Sequence, residues 1–192
     1  MFTQQKQRIE TEILEILKNS PVPEDYRHAL NVLAWVRRFK PDADIALQIA
    51  ALAHDIERAL PDKKVNRSEF QDYDEFKQSH AENSARIVRE LLTKYEIDQQ
   101  IVERICYLIR NHEFGTKDDE DLIVLKDADS LSFFEVNLPH YYKREGKEET
   151  YRRMYWGFLR LSEKAKSFLR NINYKENVLN DYLAELFRKD QN

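Results

Sequence analysis

Apolar side chains recur at helical spacing along most of this chain, and this periodicity constrains the fold more than any other feature. Ile9, Ile13 and Leu17 mark one stripe near the N-terminus, and Ile101 and Ile105 begin another in the middle. Residues three, four and seven positions apart share one face of an α-helix, so each stripe predicts an amphipathic helix. The predicted helices cover residues about 3–19, 24–40, 44–58, 79–95, 98–112, 148–170 and 174–189.

The rarity of helix-breaking residues also favours an all-α fold. The 192 residues include only three glycines and five prolines, and Pro41 and Pro61 fall at the ends of predicted helices. Acidic and basic residues are interspersed, as is typical of helix surfaces. We therefore predict that residues 1–192 form one all-α domain of about seven to nine helices, long enough to bury a core.

Charge and cysteine usage exclude several classes of protein. The formal net charge is −4 with both signs interspersed, so no global basic surface is available to wrap a nucleic-acid duplex. The single cysteine, Cys106, excludes an internal disulfide, and its apolar neighbours predict a buried thiol. Neither a leader nor an apolar run of about 20 residues is present, so we expect a cytoplasmic protein without a membrane partner. The oligomeric state stays open.

The stretch Ala50–Arg58, AALAHDIER, sets an imidazole beside a carboxylate at the end of a run of small apolar residues. Adjacent residues on a helix point about 100° apart, so the side chains of His54 and Asp55 can reach one point beyond the helix surface. Imidazole nitrogen and carboxylate oxygen together bind zinc, iron, manganese and similar ions. The pair therefore predicts a metal ion whose other ligands come from elsewhere in the chain.

Further histidines lie on or beside the apolar stripes of other predicted helices. His28 falls near the start of one apolar face, His80 opens the helix at 79–95, and the stripe of the next helix leads to His112. Each histidine alone is more typical of a hydrogen-bonded structural residue than of a ligand. In the later sequence LKDADSLS, Asp127 and Asp129 lie about 200° apart around a helix, so only one can face a shared site.

The order H, HD, H, H, D resembles the six-ligand, two-metal form of the HD-domain superfamily of metal-dependent phosphohydrolases. The resemblance covers about residues 25–131 and includes the sequence around each ligand. The stretches that carry it are YRHALNVLAWVRR, AALAHDIER, HAENSARIVRELL, ICYLIRNHEFG and LKDADSLS. In the terminal motif of that family the aspartate stands two residues before leucine, which selects Asp129 and leaves Asp127 in a supporting or surface position.

This resemblance implies an HD-like orthogonal helical bundle, with a metal-ligand core at about 24–131 that C-terminal helices at 148–190 complete. It implies one or two divalent transition-metal ions, Fe, Mn, Co, Ni or Zn. In such proteins the first two histidines and both aspartates hold one ion, and the aspartate at the position of Asp55 bridges to the second. The implied metal ligands are His28, His54, Asp55, His80, His112 and Asp129.

The function that the resemblance implies is hydrolysis of a small phosphate ester or anhydride, with a nucleotide as the expected substrate. A hydroxide shared by two ions would attack phosphorus while the ions neutralise the phosphate oxygens, which makes Asp55 a catalytic residue. Arg58 stands where many family members have lysine, and its planar guanidinium could bind a pair of phosphate oxygens. A salt bridge from Arg58 to Glu57 or another nearby acid is an equally open alternative.

Two alternative functions use the same ligands. Some HD-domain proteins hold mixed-valent iron and cleave C–C or C–P bonds with dioxygen, so a di-iron oxygenase stays open. A non-catalytic metal or nucleotide sensor is the other alternative, although a complete ligand set argues against a degenerate module.

Several polar segments lie outside this ligand set. The acidic run at 118–121 predicts the first turn of a helix rather than a second metal site. We assign His140 a structural or rim position. The segment at 151–166 could hold a nucleotide, but a solvated face beside a core stripe is the favoured interpretation. Its basic and aromatic residues are Tyr151, Arg152, Arg153, Trp156 and Arg160.

Overall fold

The computed structural model describes residues 2–115 and 118–190, and the regular elements within these ranges are all helical. This part of the chain contains nine α-helices and no strand, so the prediction of an all-α fold with seven to nine helices is confirmed. The helices are α1 (Phe2–Lys18), α2 (Asp25–Phe39), α3 (Ile45–Ala53), α4 (Tyr73–Leu92), α5 (Gln99–Asn111), α6 (Glu120–Ser132), α7 (Leu138–Arg160), α8 (Glu163–Leu169) and α9 (Asn177–Lys189).

The short helix α3 occupies the centre of the molecule. It packs against α1, α2, α5 and α6, and α4 and α5 pack against each other beside it. The sequence IALQIAALA leaves only Ile45 and Gln48 incompletely buried, and its alanines allow the neighbouring helices to approach closely. Because α3 is enclosed in this way, the residues at its C-terminal end are delivered into the interior.

The helix that precedes the His-Asp pair ends earlier than predicted. α3 stops at Ala53, His54 and Asp55 form a turn, and a 3₁₀ helix follows at Ile56–Ala59. The backbone of Asp55 has φ −106° and ψ 17°, in the sparsely populated region where many active-site residues lie. Since a 3₁₀ helix has three residues per turn, Arg58 lies directly beside Asp55.

The boundaries of α4 and of the C-terminal helices also differ from the prediction. α4 begins at Tyr73 because the carboxylate of Asp72 accepts hydrogen bonds from the first amides of the helix, so His80 lies within α4 rather than at its start. The predicted helix at 148–170 divides into α7 and α8, where Ser162 caps α8. α7 starts before Gly146 and kinks there, and a π-helical turn at Phe133–Asn137 precedes it.

Two smaller predictions concern burial and capping, and a third concerns membrane-spanning helices. Cys106 is a buried free thiol, as predicted, and burial raises its pKa. The acidic run starts a helix, as predicted, because Asp119 caps α6. Among the described helices, none has both the length and the apolar character required to cross a membrane.

Candidate metal centre

The predicted ligands meet in the interior, where α2 to α6 converge. His28, His80 and Asp129 lie on α2, α4 and α6, whereas His54, Asp55 and His112 directly follow α3 and α5. Each is at most 9 % exposed. The structure brings all six together in two adjacent groups, within each of which one ligand atom per residue lies within 4.8 Å of the others. The first group is His28, His54 and Asp129; the second group is Asp55, His80, His112 and Glu113.

The first group has the dimensions of a metal site. The Nε2 atoms of His28 and His54 are 3.2 Å apart, and they lie 3.3 and 3.5 Å from Oδ1 of Asp129. The centre of such a triangle lies about 2 Å from each corner, which is the length of a metal–nitrogen or metal–oxygen bond. A single ion can therefore bind all three atoms without movement of the chain.

The carboxylate of Asp55 lies between the two groups. Its Oδ1 is 2.7 Å from Nε2 of His80 in the second group and 3.8 Å from Nε2 of His54 in the first. Its Oδ2 is 4.0 Å from Nε2 of His28. One carboxylate therefore reaches histidines of both groups, which is the arrangement that a shared ligand requires.

The four imidazoles are oriented in the same way, with Nδ1 turned outward and Nε2 turned inward. Each Nδ1 has a hydrogen-bond partner outside the two groups, so we assign the proton to Nδ1 and the lone pair to Nε2. Metal-binding histidines in proteins are commonly fixed by such a bond from the second ring nitrogen. The partners of His28, His54, His80 and His112 are Ser132 Oγ, Ala51 O, Glu57 Oε1 and Ile109 O, at 2.9, 3.1, 2.7 and 2.7 Å.

One inward nitrogen has no hydrogen-bond partner. Nε2 of His112 is inaccessible to solvent, and within residues 2–115 and 118–190 nothing donates a hydrogen bond to it. It lies 3.3 Å from Oε1 of Glu113, which is an acceptor rather than a donor. Buried polar atoms are normally paired, so an unpartnered lone pair beside carboxylate oxygens fits a bound cation. The donor atoms of both groups therefore suit a metal ion.

Without a metal ion, the pKa values of the site favour a protonated imidazole beside ionised carboxylates. Burial lowers the pKa of the His54 imidazole, but Asp55 and Asp129 raise it to about 9. Burial raises the pKa of the Asp129 carboxyl, yet the neighbouring His28 and His54 hold it well below its usual range. Carboxylates stay ionised while an imidazole beside them takes up a proton, so a metal cation would replace that positive charge.

Three charged residues that the sequence analysis did not assign to the centre lie in or beside the second group, namely Lys77, Glu113 and Arg160. Glu113 is buried, and it forms ion pairs with Lys77 and with Arg160, whose Nη1 lies 3.0 Å away. Nη2 of Arg160 also lies 3.4 Å from Asp129 and 3.2 Å from the carbonyl oxygen of His112. Arg160 thus contacts both groups, and with a side chain only 9 % exposed it is an exception to the solvated face predicted for the segment 151–166. The signal in the sequence that could have indicated Glu113 is its position directly after His112.

The remaining predicted residues have other partners. Arg58 pairs with Asp55 at 3.0 Å and with Asp25 at 2.9 Å, so its salt bridge is to acids other than Glu57. Asp127 belongs to neither group: it is buried and accepts a hydrogen bond from the backbone N–H of Ser162 at 2.8 Å. The possibility that Asp127 lies at the surface is therefore wrong. His140 is exposed on α7, outside both groups.

A cleft of about 420 Å³ opens beside the second group. His80 and Arg58 form the wall that it shares with the candidate centre. Tyrosine and phenylalanine side chains and the Pro21–Pro23 turn line much of the rest. Its basic lining residues are Arg58, Lys64, Lys77, Arg144 and Arg153.

Comparison with known proteins gives one match. The family model described as "Domain of unknown function (DUF4202)" matches residues 6–180. No curated protein and no solved structure matches the chain. The matched residues include both groups and the whole lining of the cleft.

Proposed function

Because the chain belongs to the DUF4202 family, whose description assigns no function, we propose a function from the site itself: a metal-dependent phosphohydrolase that acts on a small phosphate ester or anhydride. The observation that carries this proposal is the common orientation of four buried histidines. Their Nε2 atoms point toward the carboxylates of the two groups, and their Nδ1 atoms are fixed from outside. This site lies beside a cleft rich in basic residues.

The donor atoms favour two divalent transition-metal ions. Imidazole nitrogen and carboxylate oxygen suit Fe, Mn, Co, Ni and Zn, and the position of Asp55 between the groups supports a shared ligand. Ions in such a pair lower the pKa of water and neutralise phosphate oxygens during in-line displacement. The resemblance to the HD-domain superfamily supports the same function, since the six residues that carry it are the ones that meet here.

The protein groups around this centre bind and orient a phosphate. Arg58 is held in place by Asp25 and Asp55, and its side chain is 28 % exposed and lines the cleft, so its exposed N–H groups can donate to an entering anion. Glu57 accepts a hydrogen bond from Nδ1 of His80 and keeps that ring in place. Burial of both groups excludes bulk water and strengthens these interactions.

The cleft supports a small-molecule substrate. Its basic residues line a concave space of about 420 Å³ rather than a surface stripe, which suits a nucleotide better than a nucleic-acid duplex. Phe76 and Tyr141 offer rings beside those charges. We infer that the substrate is a phosphorylated small molecule of nucleotide size.

Metal content and phosphate release test this proposal together. Purified protein should hold two ions per chain, and it should release phosphate from some member of a nucleotide panel with added manganese, cobalt or iron. Asp55→Ala should remove metal and activity together because both groups lose a carboxylate. Asp127→Asn is the matched control, a buried aspartate outside both groups, and should retain the metal. No release from any substrate by metal-loaded protein would overturn the hydrolase proposal.

One observation favours a second candidate. The first group is a set of two histidines and one carboxylate, the ligand combination of many non-haem iron oxygenases. A di-iron oxygenase would take up dioxygen after anaerobic loading with ferrous iron and addition of a polyol or phosphonate. Metal-loaded protein that releases phosphate without dioxygen uptake excludes this candidate. Tight nucleotide binding without either reaction would indicate a sensor.

A further inference from the structure

Arg153 lies in the wall of the cleft, and no carboxylate of the described residues pairs with it. Its guanidinium stacks on two rings, with Cζ 4.2 Å from the centre of Phe133 and 4.6 Å from that of Trp156. Its Nη1 is inaccessible to solvent, and no residue of the described chain accepts a hydrogen bond from it. The rings hold the guanidinium plane but do not replace an anion as an acceptor for its N–H groups. Arg153 therefore brings to the cleft wall a positive charge that no carboxylate of the described residues neutralises.

Arg160 lies on the same helix and has carboxylate partners, so the absence of one at Arg153 among the described residues is not a general feature of α7. Arg160 lies seven residues later on the same face of α7, about 10 Å along the axis. It also stacks on Trp156, with Cζ 4.4 Å from the ring centre. However, its Nη1 and Nη2 form ion pairs with Glu113 at 3.0 Å and with Asp129 at 3.4 Å. The guanidinium of Arg160 thus pairs with carboxylates of the candidate centre, whereas that of Arg153 is available to a ligand.

Asn137 supplies a second unpaired group in the same cleft. This residue is 5 % exposed, and its Oδ1 lacks a hydrogen-bond partner in the described structure. It is the last residue of the π-helical turn Phe133–Asn137, and such turns are frequent at functional sites. A buried amide oxygen requires a donor, so its position in the cleft wall points to an N–H or O–H of a ligand.

We propose that the cleft selects a substrate with two anionic groups, one bound at the metal centre and the other at Arg153. An N–H or O–H between these groups would donate to Oδ1 of Asn137. The charges of the cleft support this class, because Glu57 is its only acidic lining residue in the described chain and is already bonded to His80 and Asn83. The inference rests on the proposed function, since it names the substrate class of the same site.

A pair of stable phosphonates tests the inference on the metal-loaded protein. Hexylphosphonate carries one anionic group, and hexane-1,6-diphosphonate carries a second at the far end of a flexible chain. Calorimetric titration should show the diphosphonate binding about tenfold more tightly or better, as expected for a charge-assisted hydrogen bond. Arg153→Gln should abolish this preference and leave the affinity for hexylphosphonate within about twofold.

Arg152→Gln is the matched control. The neighbouring Arg152 has a side chain that is 70 % exposed and paired with Glu149 at 3.2 Å, so its removal should leave the preference intact. Metal content measured for each variant shows whether the centre is preserved. Equal affinity for both probes in the wild type, or a preference that survives in Arg153→Gln, would overturn the inference and leave the hydrolase proposal standing. Binding of hexylphosphonate that does not depend on metal would instead contradict the proposed function.

Discussion

The unpaired amide of Asn137 predicts an unusual response to substitution. Asn137→Leu keeps a similar volume and removes a buried oxygen that lacks a partner in the described chain, so it should leave stability unchanged or raise it by about 1 kcal/mol. Thermal unfolding of the ligand-free protein measures this effect. A residue retained for ligand binding behaves in this way, whereas a fall of several degrees would show that the amide stabilises the fold.

Ser132 is also buried, but unlike the Oδ1 of Asn137 its hydroxyl has hydrogen-bond partners within the protein. Its Oγ accepts a hydrogen bond from Nδ1 of His28 at 2.9 Å and donates one to the carbonyl oxygen of the same residue at 3.1 Å. Ser132→Ala frees the ring to rotate and should weaken metal binding about tenfold, in a competition titration against a fluorescent chelator. Ser84→Ala is the matched control, because Ser84 is buried and its Oγ has no partner among the described residues. An equal loss in both variants would count against the assigned orientation of His28.

At the scale of single elements, the kink in α7 gives a prediction about backbone energy. Gly146 has φ 79°, a left-handed conformation that side chains with a Cβ resist, and no described atom lies within 4 Å of where a Cβ would be. Gly146→Ala should therefore lower the free energy of unfolding by about 1 kcal/mol through the backbone alone. Chemical denaturation measures this change. Lys147→Ala, at an exposed helical position directly after the kink, is the comparison and should leave the free energy of unfolding nearly unchanged; equal losses in the two variants would contradict the explanation.

The elements also show how far the sequence could predict this molecule. Apolar stripes located most helices, because periodicity is a local property, and the order of histidines and aspartates located the residues that meet in the two groups. The pairing of Glu113 with Arg160 was missed because it joins residues 47 positions apart and arises only when α7 packs beside α6. The early start of α4 depended on Asp72, whose capping bonds the hydrophobic pattern does not report.

At the scale of the whole molecule, metal binding and stability should be linked. A cation that binds only the folded state adds about 4 kcal/mol when its concentration is 1,000 times its dissociation constant. For a chain of this length, that corresponds to a rise in melting temperature of roughly 10 °C. Scanning calorimetry of protein treated with a chelator and then reloaded with manganese measures the shift. Asp55→Ala should show little or no shift, and a metal-dependent rise of the same size in this variant would contradict the assignment of both groups.

The extent of the domain is a separate whole-molecule question. That residues 1–192 form one HD-like domain stays a prediction, although the helices after residue 131 contribute directly to the centre through Arg160. A fragment that ends at residue 131 would retain all six predicted ligands but lose the guanidinium that neutralises Glu113 and Asp129. We expect such a fragment to bind metal poorly even where it stays helical, and circular dichroism with metal analysis would test this.

The turn from Asp55 to Arg58 also bears on how the family can evolve. Three of its four side chains have separate tasks: Asp55 reaches both groups, Glu57 holds His80, and Arg58 faces the cleft. With three residues per turn, the insertion of one residue would rotate everything after it by about 120° and would disrupt the last two tasks at once. Natural variation should therefore exchange side chains within this turn while its length stays constant, even where the loop from residue 60 to residue 72 lengthens or shortens.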